Sequence, residues 1–244
     1  VGSTSIGRVL ALHTTSGGTS WESEHLPSTI YAITEVACPS TSVCEAIGYG
    51  EGAVLSLRTT DSGAVWVTGK LPSELTGVND IVCPSSSVCD VAGFNAGYQP
   101  LILRTDDKGL TWVVDKTPAG IVSLDGIACP SITVCEAVGV DPSRGAVAIR
   151  TKNRGASWTF GKVAVTAGAL AGVRCPTLSL CEAVGTGIYG SAAVAVSTTD
   201  GGSTWSSQAV PAGVLTLTGL GCPSASMCVA VGDSDGEAQI LVFG

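Results

Sequence analysis

CPSTSVCEAIG occupies residues 38–48. CPSSSVCDVAG follows at 83–93, CPSITVCEAVG at 129–139, CPTLSLCEAVG at 175–185 and CPSASMCVAVG at 222–232. The first cysteines of these phrases recur at intervals of 45, 46, 46 and 47 residues. Trp21, Trp66, Trp112, Trp158 and Trp205, all the tryptophans of the chain, recur at the same intervals. Two independent markers in step establish a repeat. A period near 45 belongs to propeller blades or to helical repeats.

The texture between the markers separates the two. VLSLRT, LILRT, VAIRT and AAVAVST are short β-rich runs, Gly recurs every few residues, and no stretch of ten holds a 3.6-residue period. Each repeat therefore reads as four short strands. In the second repeat they are expected at 78–83, 88–93, 101–105 and 112–115. Each cysteine pair then flanks the tight turn between the first two strands, close enough for a disulfide. The expected bonds are Cys38–Cys44, Cys83–Cys89, Cys129–Cys135, Cys175–Cys181 and Cys222–Cys228, which leave no cysteine over. Pro39, Pro84, Pro130, Pro176 and Pro223 follow the first cysteines and fit a strand end. Zinc would need four converging ligands, and a ring of separated pairs does not bring them together. Redox chemistry favours a Cys-x-x-Cys spacing. Five disulfides imply an oxidising compartment, hence an extracellular or cell-surface protein.

Composition agrees. The chain has 244 residues, 45% apolar but only 13% charged and 5% aromatic, with 32 glycines. Its formal charge is −8, without a Lys/Arg run. Nucleic acid and anionic membrane surfaces are thus unsuited as partners. No stretch reaches the roughly 18 apolar residues of a spanning helix, so membrane insertion is not expected. No signal peptide is visible, so an exported protein would be represented by its mature chain or a fragment.

Each tryptophan closes a second phrase: TTDGGSTW (198–205), TDDKGLTW (105–112), TTDSGAVW (59–66), TKNRGASW (151–158) and TTSGGTSW (14–21). These resemble the Asp-box, or BNR repeat, of sialidase-like β-propellers, found also in photosystem-assembly propellers, sortilin-type receptors and some glycoside hydrolases. The resemblance implies a turn between the third and fourth strands. Asp61, Asp107 and Asp200 would accept backbone N–H bonds there, Asn153 would substitute, and Ser16 would do so in part, leaving the first box the least rigid. Trp66, Trp112, Trp158, Trp205 and Trp21 would pack between blades. It also implies that the boxes are structural and lie away from the ligand face.

The expected fold is all-β, one domain spanning 1–244: a five-bladed β-propeller of four-stranded antiparallel blades with one disulfide each. The N-terminus offers a third and a fourth strand (residues 7–14, then Trp21 onward) and the C-terminus a first, second and third (219–243). That is about 21 strands, one more than five blades need. Closure is expected by pairing of both chain ends in one sheet, the alternative being a truncated larger propeller.

Functional residues should break the repeat. Glu45, Asp90, Glu136 and Glu182 follow the second cysteines, and Arg58, Arg104 and Arg150 precede the boxes. They repeat, so they are expected to form cross-strand or interblade ion pairs. Equivalent arginines spread round a ring cannot converge as a sialidase triad does. The loops between second and third strands differ in every repeat: YGEG (49–52), FNAGYQP (94–100), VDPSRG (140–145), TGIYGS (186–191) and DSDGEA (233–238). They hold Tyr49, Phe94, Tyr98 and Tyr189, in a chain with four Tyr and three Phe. With Glu51, Asp141, Arg144, Asp233, Asp235 and Glu237 they form the candidate ligand face, suited to a protein or a glycan. DSDGE also resembles an oxygen-rich Ca²⁺ loop without the full ligand spacing, so Ca²⁺ is the one cofactor considered. Glu35, Asp80 and Asp125 are placed near the start of the innermost strands, at a tunnel mouth. His13 and His25 lack a Ser or Cys partner for a hydrolase triad. The expectation is a non-catalytic binding module. The alternatives are a glycoside hydrolase or lyase using unrepeated acids and a structural coat or filament subunit.

Overall fold

The computed structural model describes residues 1–3, 9–164, 167–190 and 192–243. Residues 7 and 8 of the anticipated N-terminal strand, and Ser191 in the fourth loop, lie outside them. Apart from one 3-10 turn at Ile188–Gly190, the regular elements are strands. Near the N-terminus β1 (Gly2–Ser3) pairs with β2 (Val9–Leu10), and β3 (Leu12–His13) with β4 (Glu22–Ser23). Four four-stranded sheets follow, each in chain order. The first is β5 (Ile30–Ala37), β6 (Cys44–Gly50), β7 (Ala53–Thr59) and β8 (Val67–Lys70). The second is β9 (Gly77–Val82), β10 (Cys89–Phe94), β11 (Pro100–Thr105) and β12 (Val113–Asp115). The third is β13 (Ser123–Ala128), β14 (Cys135–Val140), β15 (Ala146–Thr151) and β16 (Thr159–Phe160). The fourth is β17 (Ala167–Arg174), β18 (Cys181–Gly187), β19 (Ala193–Thr198) and β20 (Ser206–Gln208). The last sheet has three strands: β21 (Thr216–Ser224), β22 (Met227–Ser234) and β23 (Glu237–Phe243). Among the described residues no helix is long and apolar enough to cross a membrane.

The four strands per repeat fall within a residue or so of expectation. At the chain ends the described strands form the short pairs β1·β2 and β3·β4 and the three-stranded last sheet. β23 fills the third-strand place beside β22 from Cys228↔Phe243 to Ser234↔Glu237. The N-terminal strands β2 and β3 pair with β1 and β4.

Packing divides the chain into two units, Val1–Gly97 with Leu103–Val114, and Tyr98–Ile102 with Asp115–Gly244. In the first, Ile30, Ile33, Ala46, Leu57 and Trp66 form a core that Val9 and Leu26 cover. In the second, Val138 and Ala148 of the third sheet bury themselves against Leu170, Val196 and Trp205 of the fourth. Val184 and Ala195 of the fourth do the same against Leu217 and Ala230 of the last. Small side chains permit this stacking. A Cβ on Gly126 would lie 3.0 Å from the Cα of Gly172 on the next sheet's first strand.

All five expected disulfides are present. The tryptophan-closed turns are built alike. Thr105 Oγ1 donates to Asp107 Oδ1 at 2.8 Å and accepts Gly109 N–H at 2.9 Å, while Thr111 N–H reaches Asp107 Oδ1 at 2.9 Å. The same bonds recur at Thr59, Thr151 and Thr198. Ser16 substitutes fully for the aspartate as acceptor, taking Ser20 N–H on its Oγ at 2.9 Å. Each turn also docks on the disulfide loop of its own repeat: Ser62, Lys108, Arg154 and Gly201 N–H donate to Ser42, Ser87, Thr133 and Ser179 O at 2.9–3.1 Å.

Alkylation of the unreduced, denatured chain should therefore label no cysteine. A Cys129→Ser/Cys135→Ser double variant should lose roughly 2 kcal/mol in urea unfolding, the loop-entropy value for so short a ring. An unchanged midpoint would show that the hydrogen bonds alone hold the turn.

Candidate functional site

In the first unit one hairpin tip opens into a cavity. β6 and β7 close through Glu51 and Gly52, both left-handed (φ 52 and 78), between the paired residues Gly50 and Ala53. This is the hairpin turn whose twist matches its strands. Beside the tip, β5 carries a bulge between Ile30 and Ala32, opposite Gly50 and Tyr49. The bulged residue is Tyr31, which is exposed. The chain leaving β8 crosses the same side as Lys70–Leu71–Pro72–Ser73. Tyr31, Tyr49, Glu51, Lys70, Pro72 and Thr76 contribute to the walls of a space of about 480 Å³, within the size range of small-ligand sites. Phe94 buttresses it. Its carbonyl accepts both N–H and Oγ1 of Thr76, at 2.9 and 3.2 Å, and its ring covers Gly77, where a Cβ would come within 2.1 Å.

The cavity thus joins two of the anticipated residues, Tyr49 and Glu51, with Phe94 behind the wall. The others stand at their own tips. Tyr98, Arg144, Tyr189 and Asp235 are left-handed, with φ of 57, 64, 61 and 53, and exposed. Asp141 organises its own loop, accepting Ser143 N–H and Oγ–H and Gly145 N–H, and these donors lower its pKa. Asp235–Gly236 make a two-residue turn between the paired Ser234 and Glu237, and Asp233 Oδ1 accepts Gly236 N–H at 3.4 Å.

Tyr31 and Lys70 were not anticipated. Tyr31 breaks the repeat: Thr76, Val122, Gly168 and Leu215 hold its place, so the rule applied to the loops would have found it on the strand. Lys70 has equivalents in Lys116 and Lys162 and therefore reads as scaffold.

The inner acids do not form an equivalent set. Glu35 on β5 and Asp80 on β9 hold matching positions, three residues before the first cysteine, where the next repeat has Gly126. Asp125 precedes that position, in the bulge between Leu124 and Gly126. All three are mid-strand rather than at a strand start. Asp80 Oδ1 accepts Ile81 N–H at 2.9 Å, and Ser123 Oγ donates to Asp125 at 2.9 Å, while burial raises the Asp125 pKa.

Two of the expected ion pairs form: Arg58 Nη1 to Glu45 Oε2 and Arg104 Nη1 to Asp90 Oδ1, each 3.2 Å. The third does not. Arg150 faces Glu136 in register, but its Nη1 donates to Ser203 Oγ and to Asp200 O in the next sheet's turn. Glu136 is left buried with no hydrogen-bond partner for either oxygen. Burial pushes its carboxyl up to about 8. Burial raises Glu45 to about 7 despite Arg58, and Glu182 to about 7 despite Gln208 Nε2. The turn aspartates go the other way. Thr111 Oγ1–H and N–H pull Asp107 down to about 2, and Thr204 N–H and Oγ1–H do the same for Asp200.

No protein-family model and no curated protein matches the chain. Solved structures do. YCF48 bound to D1 peptide is 17% identical, with a TM-score of 0.56, over 96% of this chain and 84% of that one. The nidogen/laminin complex gives 12%, 0.63, 96% and 88%. The GH74 enzyme of Niastella koreensis gives 12% and 0.63 over 84% of this chain, which spans only 34% of the enzyme. The fold is that of β-propeller proteins. Identity this low carries the fold alone.

The raised acids fix a pH dependence. Between about pH 4.5 and 8 the unfolded chain has released protons that folded Glu45, Glu136 and Glu182 retain, so stability falls as pH rises through that window. Below about pH 4 the depressed Asp61, Asp107 and Asp200 lose their turn bonds, and stability falls again. Calorimetry should place the highest Tm between about pH 4 and 5. Glu136→Gln should flatten the alkaline limb, and a Tm still rising to pH 8 would refute the assignment.

Proposed function

We propose that this chain is a non-catalytic binding module of the Asp-box propeller type. Each of its five cysteine-bearing repeats supplies one blade, and the face carrying the hairpin tips takes a segment of a partner protein or a glycan. The cavity at the first tip carries this reading. Two tyrosine rings offer flat apolar area with hydroxyls, Lys70 and Glu51 offer one charge of each sign, and Ser73 and Thr76 add hydroxyls. In the second unit, Tyr98 and Tyr189 stand exposed at hairpin tips of their own. The likeness to YCF48 bound to D1 peptide and to the nidogen/laminin complex supports protein recognition. Glycoside hydrolysis asks for two carboxyls about 5–10 Å apart, and Glu51 is the one carboxylate lining the cavity among the described residues. The five disulfides suit an extracellular or cell-surface setting.

Parallel peptide and glycan arrays, probed with the labelled chain, test this. Binding should be found without turnover. Tyr49→Ala and Lys70→Ala should each weaken it about tenfold, the loss of roughly 1.4 kcal/mol expected of a hot-spot contact, at unchanged Tm. Binding untouched by both substitutions would remove the cavity from the reading, and release of a reducing sugar from an arrayed glycan would replace the module with an enzyme.

A further inference from the structure

The β5–β6 and β9–β10 pairs share one backbone geometry and differ in the side chains set on it. Tyr49 stands opposite Ala32 as Phe94 stands opposite Gly77, and in both sheets a bulge follows, at Thr34 and at Asn79. The neighbouring glycines press alike on the opposite strand. A Cβ at Gly48 would come within 2.3 Å of the Ala32 carbonyl oxygen, and one at Gly93 within 2.2 Å of the Gly77 carbonyl oxygen. The second sheet fills the room over Gly77 with the Phe94 ring, three of whose carbons lie 2.1–2.6 Å from where a Cβ would be. Ala32 has that Cβ. A ring folded over Ala32 as Phe94 is folded over Gly77 would overlap it. Tyr49 is denied that place and lines the cavity instead.

The cavity so opened is apolar at its base. Val54, Leu55, Leu71 and Leu75 line it and are 3–9% exposed. Its lining contains no Asn, Gln, Asp, Arg or His, and the Thr76 hydroxyl proton is already given to the Phe94 carbonyl. Sugar hydroxyls pressed onto such a base would be left unpaired, whereas an aliphatic side chain loses nothing there. Aromatic-walled grooves of this kind hold proline-rich segments, whose extended conformation is set in advance. At the rim, Lys70 and Glu51 ask for both signs of charge, which a short peptide supplies and an acidic glycan does not.

We propose that the cavity takes an aliphatic or prolyl side chain of an extended partner polypeptide, and that Ala32 is the residue that holds the cavity open. This occupant rests on the binding-module reading and selects the polypeptide from its two ligand classes. Ala32 touches no ligand; it acts by positioning Tyr49.

Nitration of tyrosine, located by peptide mass spectrometry, tests the role of Ala32 without any ligand. Tyr98 and Tyr189, exposed at other tips, are the internal standards. Ala32→Gly should cut the labelling of Tyr49 several-fold, and Ala32→Ser, which keeps the Cβ, should leave it unchanged. In the second sheet, Phe94→Tyr should resist nitration and become labelled once Gly77→Ala is added. That pair carries the test if Ala32→Gly fails to fold. A library of short, acetylated and amidated peptides, probed with the labelled chain, tests the occupant. It should enrich an aliphatic or prolyl residue with an acidic and a basic residue near it. Ala32→Gly should weaken binding of the selected peptides about tenfold. Tyr49 labelled equally with and without the Ala32 Cβ would refute the role of Ala32. The occupant is refuted by a library that enriches nothing, by selected peptides with no apolar residue in common, or by a glycan that the parent chain binds and Ala32→Gly loses. The binding-module reading itself falls only if the glycan array stays blank as well.

Discussion

One backbone hydrogen bond, made once in each complete repeat, ties the two sequence signatures together. The N–H at the fourth position of the tryptophan-closed turn donates to the carbonyl two residues before the second cysteine. The turn is made rigid from inside by its Thr and Asp side chains, and the partner loop by its disulfide. Neither could be placed without the other, because the turn joins the third and fourth strands and the disulfide loop joins the first and second. Their docking fixes the register of four short strands that would be marginal alone. It also sets the two ends of every sheet to different work: stapled turns at one, variable hairpins at the other.

That division explains why the candidate site lies where it does. The stapled end spends its polar groups on itself. Asp61, Asp107 and Asp200 each accept bonds from their own turn, and what they could offer a ligand is already used. At the hairpin end the residues between strands two and three are relieved of that duty. The two-residue turns need only left-handed backbone, so the side chain at the tip is free to be Glu51 or Asp235, and the longer loops carry Tyr98, Arg144 and Tyr189 in the same conformation. The cavity arises where such a tip meets a strand bulge and the connection to the next sheet.

The repeat made most of the fold legible. Strand positions, disulfide partners and turn chemistry follow from two markers with one period. What the markers could not show was the state of the ends. Period alone does not say which strand lies beside β22; β23 does, from Cys228↔Phe243 to Ser234↔Glu237. Tyr49 and Glu51, which line the cavity, are legible because they break the repeat in a loop. Two further lining residues are not legible that way: Tyr31, whose break lies on a strand, and Lys70, a repeated residue drawn into a unique setting.

The buried acids show a constraint that a position-by-position reading overlooks. The turn glycines Gly63, Gly109, Gly155 and Gly202 each have a carboxylate against them, but from two different strands. Glu24 and Asp115, three residues after a tryptophan, cover Gly63 and Gly155 and accept the indole N–H of Trp66 and Trp158 at 2.6 and 3.4 Å. Where that position is Gly69 or Gly161, the second-strand Glu45 or Glu136 covers Gly109 or Gly202 instead. The indole nitrogens of Trp112 and Trp205 are then left without a partner. The exchange is steric. A Cβ at Gly161 would come within 2.3 Å of the Gly202 carbonyl, so only one of the two positions can carry the acid. The second sheet, with Asp115 in place, has the shorter Asp90 on its second strand, held by Arg104. Reading the second-strand acids only as partners for arginine captured Glu45 and Asp90 and failed for Glu136. What the fold conserves from sheet to sheet is a carboxylate beneath the next turn, with its counter-ion optional, and burial there raises the acid's pKa wherever the arginine is drawn elsewhere.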